Sequence, residues 1–336
     1  MEINSLVLYL DQDSYSDDDD LSWKVRHSAA KCIEAVVVTQ HDILQTNYYR
    51  KIVPVLIERF LERENTVKGD IFHCFNTILQ QTKTAYAHHQ QQQNQSIYTS
   101  LHDDENSMDT DNASSKNTYV SPLAEYVPSI VRSLAKIMKD KDTKNREGSL
   151  VVLTNLVQIQ RNILADHIDV IVPNTLYSLS ITDKANKSKG QTSEGKNTQT
   201  ISKSLHSNLK ITALAFLYAL LQTHHDSIRF HKHIKLMLQL IISHANDSFY
   251  KIASEALLVL QELVKIIRPK STATIQSEFQ PFVEQIYECA QKRLKQKDFD
   301  QEVKERAITC FAYVIVYLGK IHIFHLIGYL ILHLFR

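Results

Sequence analysis

Six glycines and six prolines in 336 residues leave little material for tight turns. An all-β sandwich or barrel needs those residues at each of its many corners, so that class is excluded. The same scarcity argues against glycine-rich loops that cradle phosphates. No Walker loop, kinase signature or G-x-S-x-G elbow is present. Cysteine is sparse too. Cys32, Cys74, Cys289 and Cys310 lie far apart, none at metal-ligand spacing from another. Each falls within a helical apolar pattern, which reads as reduced core residues of an intracellular protein. Net charge of one sign is missing as well: 38 Lys and Arg against 37 Asp and Glu give +1. That balance predicts no bulk attraction to nucleic acid or to an anionic membrane. The N-terminus shows no cationic region followed by a cleavage site, so no secretory signal is expected.

Histidine is the exception to this economy, with 16 copies. The tight pairs are His88–His89, His224–His225 and His231/His233. None stands with a carboxylate in the i, i+4 arrangement of a metalloprotease helix, so neither a metal nor a cofactor is expected. Scattered Ser, His and Asp residues assemble into no triad. No catalytic residue is named, and the chain reads as non-enzymatic. Trp23, the single tryptophan, reads as a cap on the first core or as a partner contact.

What the sequence does contain is a repeated helical phrase. A polar or acidic residue opens it, an apolar residue and a cation follow, and small and apolar residues then recur at helical spacing. Asp300-Gln301-Glu302-Val303-Lys304 is its clearest copy. Others are Ser22-Trp23-Lys24-Val25-Arg26, Asn65-Thr66-Val67-Lys68, Asp142-Thr143-Lys144, Ser207-Asn208-Leu209-Lys210 and Asp247-Ser248-Phe249-Tyr250-Lys251. With inserts set aside the phrase returns about every 40 residues, the period of HEAT and armadillo repeats. Helices are predicted over 22–39, 47–63, 67–82, 123–139, 143–160, 163–180, 209–223, 228–243, 249–267, 279–294 and 303–318. Pro54, Pro128 and Pro173 fall in first helices of pairs, where HEAT units bend. The fold class expected is all-α: a right-handed α-solenoid of about six HEAT-like helix pairs with two polar inserted loops.

Residues 1–20 are predicted to form an acidic flexible segment, since Asp17 to Asp20 repel one another. The solenoid spans 21–318. Its inserts, 84–118 and 183–204, are rich in Gln, Asn, Ser, Asp and Lys, too poor in apolar residues to offset ordering entropy. Residues 319–336 are expected to form a divergent apolar helix. Its run from Ile321 to Phe335 is shorter than the roughly 20 residues a membrane span needs, so no membrane partner is expected.

Arg26, Lys68, Lys144, Lys210, Lys251 and Lys304 are the most regular polar feature. Each lies near the start of a second helix, and stacking is expected to align them along the inner surface. They read as a hydrogen-bonded ladder between repeats, as a basic stripe for an acidic protein partner, or as both.

Four stretches carry a resemblance beyond the repeat class: Ser22 to Cys32 after the aspartate run, Ser207 to Leu214, Phe249 to Val259, and Asp300 to Ile308. In that order they resemble the cullin-associated, neddylation-dissociated protein family, over most of this chain but only the middle portion of a family member. The resemblance implies an all-HEAT solenoid that wraps unmodified cullin–RING ubiquitin ligases. It also implies that the solenoid assists substrate-receptor exchange in SCF complex assembly, in cytoplasm and nucleus, without being an enzyme. The expected partners are cullin–RING subunits, with the chain a monomer or part of a larger solenoid. The family's repeats on either side have no counterpart here, so cullin binding is expected to be weak. The alternative is a transport or scaffold adaptor of importin-like type, although such proteins favour acidic, tryptophan-rich inner helices.

Overall fold

The structure is a computed structural model that describes residues 22–39, 47–103, 122–188, 196–267, 279–296 and 300–318. Among them every regular element is a helix. The α-helices are α1 (Ser22–Thr39), α2 (Asn47–Glu58), α3 (Asn65–Asp103), α4 (Val127–Ile137), α5 (Thr143–Val157) and α6 (Ile168–Ser188). They continue with α7 (Lys196–Thr223), α8 (Ile234–Ala245), α9 (Tyr250–Ile267), α10 (Gln280–Lys295) and α11 (Gln301–Leu318). Short 3-10 turns lead into α4, α6 and α8, and another, Arg59–Leu61, follows α2. Pro54 and Pro173 lie inside first helices, and Pro281 opens α10, where its missing N–H has no helical partner to lose.

The chain forms two compact units, 1–137 with 155–163 and 138–154 with 164–336. In the first, α1 packs along α3, and α2 packs against α4. Ala29, Ala30, Ile33 and Val37 of α1 are buried, as are Val67, Ile71, Cys74, Phe75 and Ile78 of α3. Small residues on α1 let the two helices approach, the arrangement ridges-into-grooves packing requires. Phe60 fills the corner, with Phe75 edge-on at 5.0 Å and Phe72 at 5.5 Å.

In the second unit the second helices α7, α9 and α11 lie side by side, as do the first helices α6, α8 and α10. α9 packs against α7, α8 and α11 together. Its sequence demands this: Ile252, Ala253, Ala256, Leu257, Val259, Leu260, Leu263 and Val264 wrap most of its circumference and are all buried. A helix apolar on nearly all sides is stable only between neighbours.

The polar inserts depart from expectation. A loop was expected from 84, yet α3 continues as helix to Asp103. No glycine or proline occurs between Asp70 and Ser121, and Gln, Ala and His accept helix, so nothing in the sequence stops it. Likewise α6 runs on to Ser188 and α7 begins at Lys196, inside the stretch expected as loop over 183–204. Gly190 and Gly195, the glycines of this stretch, fall between the two helix ends. The remainder of both inserts, the acidic segment 1–20 and the apolar stretch 319–336 lie outside the described residues. Among the described residues no helix is long and apolar enough to cross a membrane.

Candidate functional site

Three of the second helices, α5, α9 and α11, share one N-terminal construction. Asp142, Asp247 and Asp300 each accept, at Oδ1, the backbone N–H two residues onward: from Lys144 at 2.8 Å, Phe249 at 2.9 Å and Glu302 at 2.9 Å. A carboxylate here satisfies an orphan donor and sits favourably at the positive end of the helix dipole. Four residues after the opening residue stands a cation. The N–H of Arg146 reaches the Asp142 carbonyl at 3.3 Å, that of Lys304 the Asp300 carbonyl at 3.2 Å, and that of Lys68 the Glu64 carbonyl at 2.9 Å. Arg26 follows Ser22 at the same interval, its Nη1 donating to Ser22 Oγ at 2.5 Å.

The six predicted cations do not share one environment. Arg26 is 6% exposed, Lys68 7% and Lys210 8%. Lys144 and Lys251 are exposed, and Lys304 is half-buried. In the first unit Arg26 donates to Glu62 from Nε at 3.1 Å and from Nη2 at 3.2 Å, a two-pronged pair. Glu62 is itself buried, and its Oε1 also accepts the backbone N–H of Arg63 at 2.9 Å and of Glu64 at 3.3 Å. It thus ties α1 to the turn that opens α3. In the second unit Lys210 of α7 donates to Asp247 Oδ2 at 3.4 Å, while Oδ1 of that same Asp caps α9. At these two points the cation of one repeat meets an acid from the turn of the next. Lys251 is instead stationed 5.9 Å from the Tyr250 ring.

Sequence reasoning missed Arg146. Asp142-Thr143-Lys144 was read as the local copy of the phrase, but Lys144 is two residues early, on the exposed side of the first turn. The ladder position is Arg146, 3% exposed. The signal was available: four residues separate Ser22 from Arg26, Asp247 from Lys251 and Asp300 from Lys304, and also Asp142 from Arg146. Burial holds the Arg146 guanidinium below its ordinary pKa. Burial likewise pushes the carboxyls of Glu147 on α5 and Glu255 on α9 up, the first partly offset by a 3.5 Å bond from Thr212 Oγ1.

The other singled-out residues find structural places. Trp23 is half-buried at the start of α1, edge-on to His27 at 6.5 Å. His27 and Lys31 of α1 meet Asp70 of α3 at 2.5 Å and 3.1 Å, and His73 of α3 meets Glu34 of α1, so polar side chains bridge the two second helices. Hydrogen bonding to Asp70 holds the Lys31 pKa above its ordinary value. His233 bonds Asp169 at 3.1 Å beside Lys232, and His224 is fully buried. Among the described residues no three His, Cys, Asp or Glu side chains gather as a metal site would require.

Comparison with known proteins gives these features a context. Residues 162–311 match the family described as "CAND1-like, TPR repeats". The cullin-associated NEDD8-dissociated protein 1 of Drosophila melanogaster is 39% identical over 313 residues, 93% of this chain and 22% of that protein. Its namesake in Arabidopsis thaliana is 36% identical over 300 residues, 89% of this chain and 21% of that protein. The chain therefore spans about a fifth of the length of these relatives. Among solved structures, importin beta superposes with a TM-score of 0.63 at 12% identity, covering 98% of this chain and 33% of that one. At that identity the likeness speaks for the fold alone, an α-solenoid of the HEAT and armadillo type.

Proposed function

We propose that this chain, whose repeats are those of the cullin-associated NEDD8-dissociated proteins, is a non-enzymatic binding segment for unmodified cullin–RING ligases. In that role it contributes to substrate-receptor exchange in SCF complex assembly, in cytoplasm and nucleus. The observation that carries this reading is the 39% identity that runs through 93% of the chain to a relative named for its association with cullins. The physical basis is division of labour among the cations. Buried Arg26, Lys68 and Lys210 hold the scaffold, whereas Lys144, Lys251 and Lys304 keep charge toward solvent at the openings of α5, α9 and α11. Lysines with solvent access on three separate repeats suit an elongated acidic surface better than a single pocket does. Each contributes little alone and sets orientation and on-rate together with the others.

A segment of this length supplies only part of such an interface, so binding is weak, with Kd on the order of micromolar. The test is sedimentation of the purified chain with an unmodified cullin–RING complex. Co-sedimentation is expected, and it is lost when Lys144, Lys251 and Lys304 become Glu while helicity by circular dichroism is unchanged. No association at high micromolar concentration, or binding indifferent to the three reversals, refutes the reading.

A further inference from the structure

Arg146 is a buried rung of the ladder without the acid seen at Arg26 and Lys210. Arg26 is closed by Glu62, which stands six residues before the next cation, Lys68, and Lys210 is closed by Asp247, four before Lys251. For Arg146 the next cation is Lys210, and the matching positions hold His206 and Ser204. From Lys203 to Asn208 there is no acid. The reason is architectural: α7 begins at Lys196, so this stretch is helix interior, not the capped turn that supplies an Asp elsewhere.

The geometry agrees. Nε and Nη1 of Arg146 are buried and have no hydrogen-bond partner among the described residues. Asp140 and Asp142 lie close enough to favour the charged form. Asp140 Oδ1 accepts the Asp142 N–H at 3.1 Å, and its Oδ2 accepts from Asn145 Nδ2 at 3.0 Å. Asp142 Oδ1 takes the Lys144 N–H. A guanidinium 97% withdrawn from water with idle donors is costly in the free chain, and a carboxylate is the group whose shape fits its fork. Tyr177, 45% exposed, is its near neighbour on α6, and exposed Lys144 adds positive charge on the same turn.

We propose that Arg146 is a receptor for a partner's carboxylate, an Asp or Glu side chain that completes the ladder from outside. This rests on the cullin-binding reading for the partner's identity, not for the site's chemistry. Two measurements separate them. The first follows the Arg146 Hε by NMR in the free chain, in sodium acetate against sodium chloride at equal ionic strength. Acetate is expected to slow its exchange with water saturably, and no difference between the salts overturns the proposal. The second compares the wild-type chain with Arg146→Met. Removing an unpaired buried charge is expected to raise the Tm of the free chain by about 2–4 °C. The same change is expected to weaken binding to unmodified cullin–RING by at least about 30-fold. A fall in Tm means the guanidinium is already paired within the chain, and unchanged affinity means the partner does not use it; either overturns the proposal. If the wild-type chain binds no cullin while acetate still protects Hε, the functional reading fails and the carboxylate site stands.

Discussion

Lowering the pH from 7 to 5 should cost this fold about 2 kcal/mol through one side chain, His224. The ring is fully buried at the C-terminal end of α7. Its Nε2 accepts the Leu164 N–H at 2.9 Å, which fixes the tautomer: the proton is on Nδ1. That N–H is shared between Thr223 Oγ1 at 2.7 Å and the Leu220 carbonyl at 3.1 Å. Protonating Nε2 would set donor against donor in a site closed to solvent. Burial accordingly lowers the pKa from 6.5 to about 4. The sign follows. The unfolded chain takes up the proton below pH 6.5 and the folded chain does not, so stability is complete above that value and declines as pH falls toward 4. The full difference of about 2.5 units corresponds to about 3 kcal/mol, of which about 2 kcal/mol has gone by pH 5. Other carboxyls titrate nearby, so the measurement is a difference. Urea unfolding of the wild type and of His224→Gln would be followed by circular dichroism at pH 7, 6 and 5. Gln cannot titrate. The variant should be the less stable at pH 7, and the gap should close by about 2 kcal/mol at pH 5. Parallel curves across that range would refute the assignment of a neutral, proton-resistant ring.

Three further outcomes test the scaffold. Glu62→Ala removes the buried carboxylate to which Arg26 donates twice and should cost about 3–5 kcal/mol in urea unfolding, whereas the double replacement Arg26→Met with Glu62→Leu should cost markedly less. Leu257→Ala in the middle-layer helix α9 should cost about 2–5 kcal/mol by the same assay, because neighbours on several sides cannot collapse into the void. Thiol titration with an aromatic disulfide at pH 8 should label one cysteine in the native chain and four in denaturant. Cys32 is exposed, while burial pushes Cys74 up to about 12, Cys289 up to about 11 and Cys310 higher still.

Helix positions were legible because the apolar period was long and strong. Leu257, Val259, Leu260 and Leu263 announce a helix buried on several sides, and α9 is one. Helix ends were legible only where chemistry marks them. Asp247 and Asp300 locate the starts of α9 and α11 to within a few residues, since a carboxylate that takes the N–H two residues onward has a recognisable spacing. Where no such mark exists, as after Thr82, a fall in apolar content is the sequence's only sign of an end, and it is a false one. Polarity ends burial, not helicity. Gln and Ala continue the backbone bonds of α3 to Asp103 because nothing in 70–121 breaks them.

The ladder shows where such reading stops. Charge type and spacing select its cations, but they do not say which head is buried. Lys210 and Lys251 occupy the same register, yet one is enclosed against Asp247 and the other stands in solvent. Lys210 meets the Asp247 carboxylate, 37 residues on in the turn that opens α9, whereas Lys251 stands beside the ring of its own neighbour Tyr250. Where a cation of this register is enclosed by a visible acid, at Arg26 and Lys210, that acid comes from the turn of the next repeat. The same logic separates Arg146 from Lys144: the register four residues after Asp142 faces inward, the one two residues after it outward. Moving the charge tests this directly. Lys144→Gln should leave stability within about 0.5 kcal/mol of the wild type, as an exposed side chain does. Arg146→Gln should shift it measurably, and equal, negligible effects at both positions would mean that register does not govern burial in these repeats.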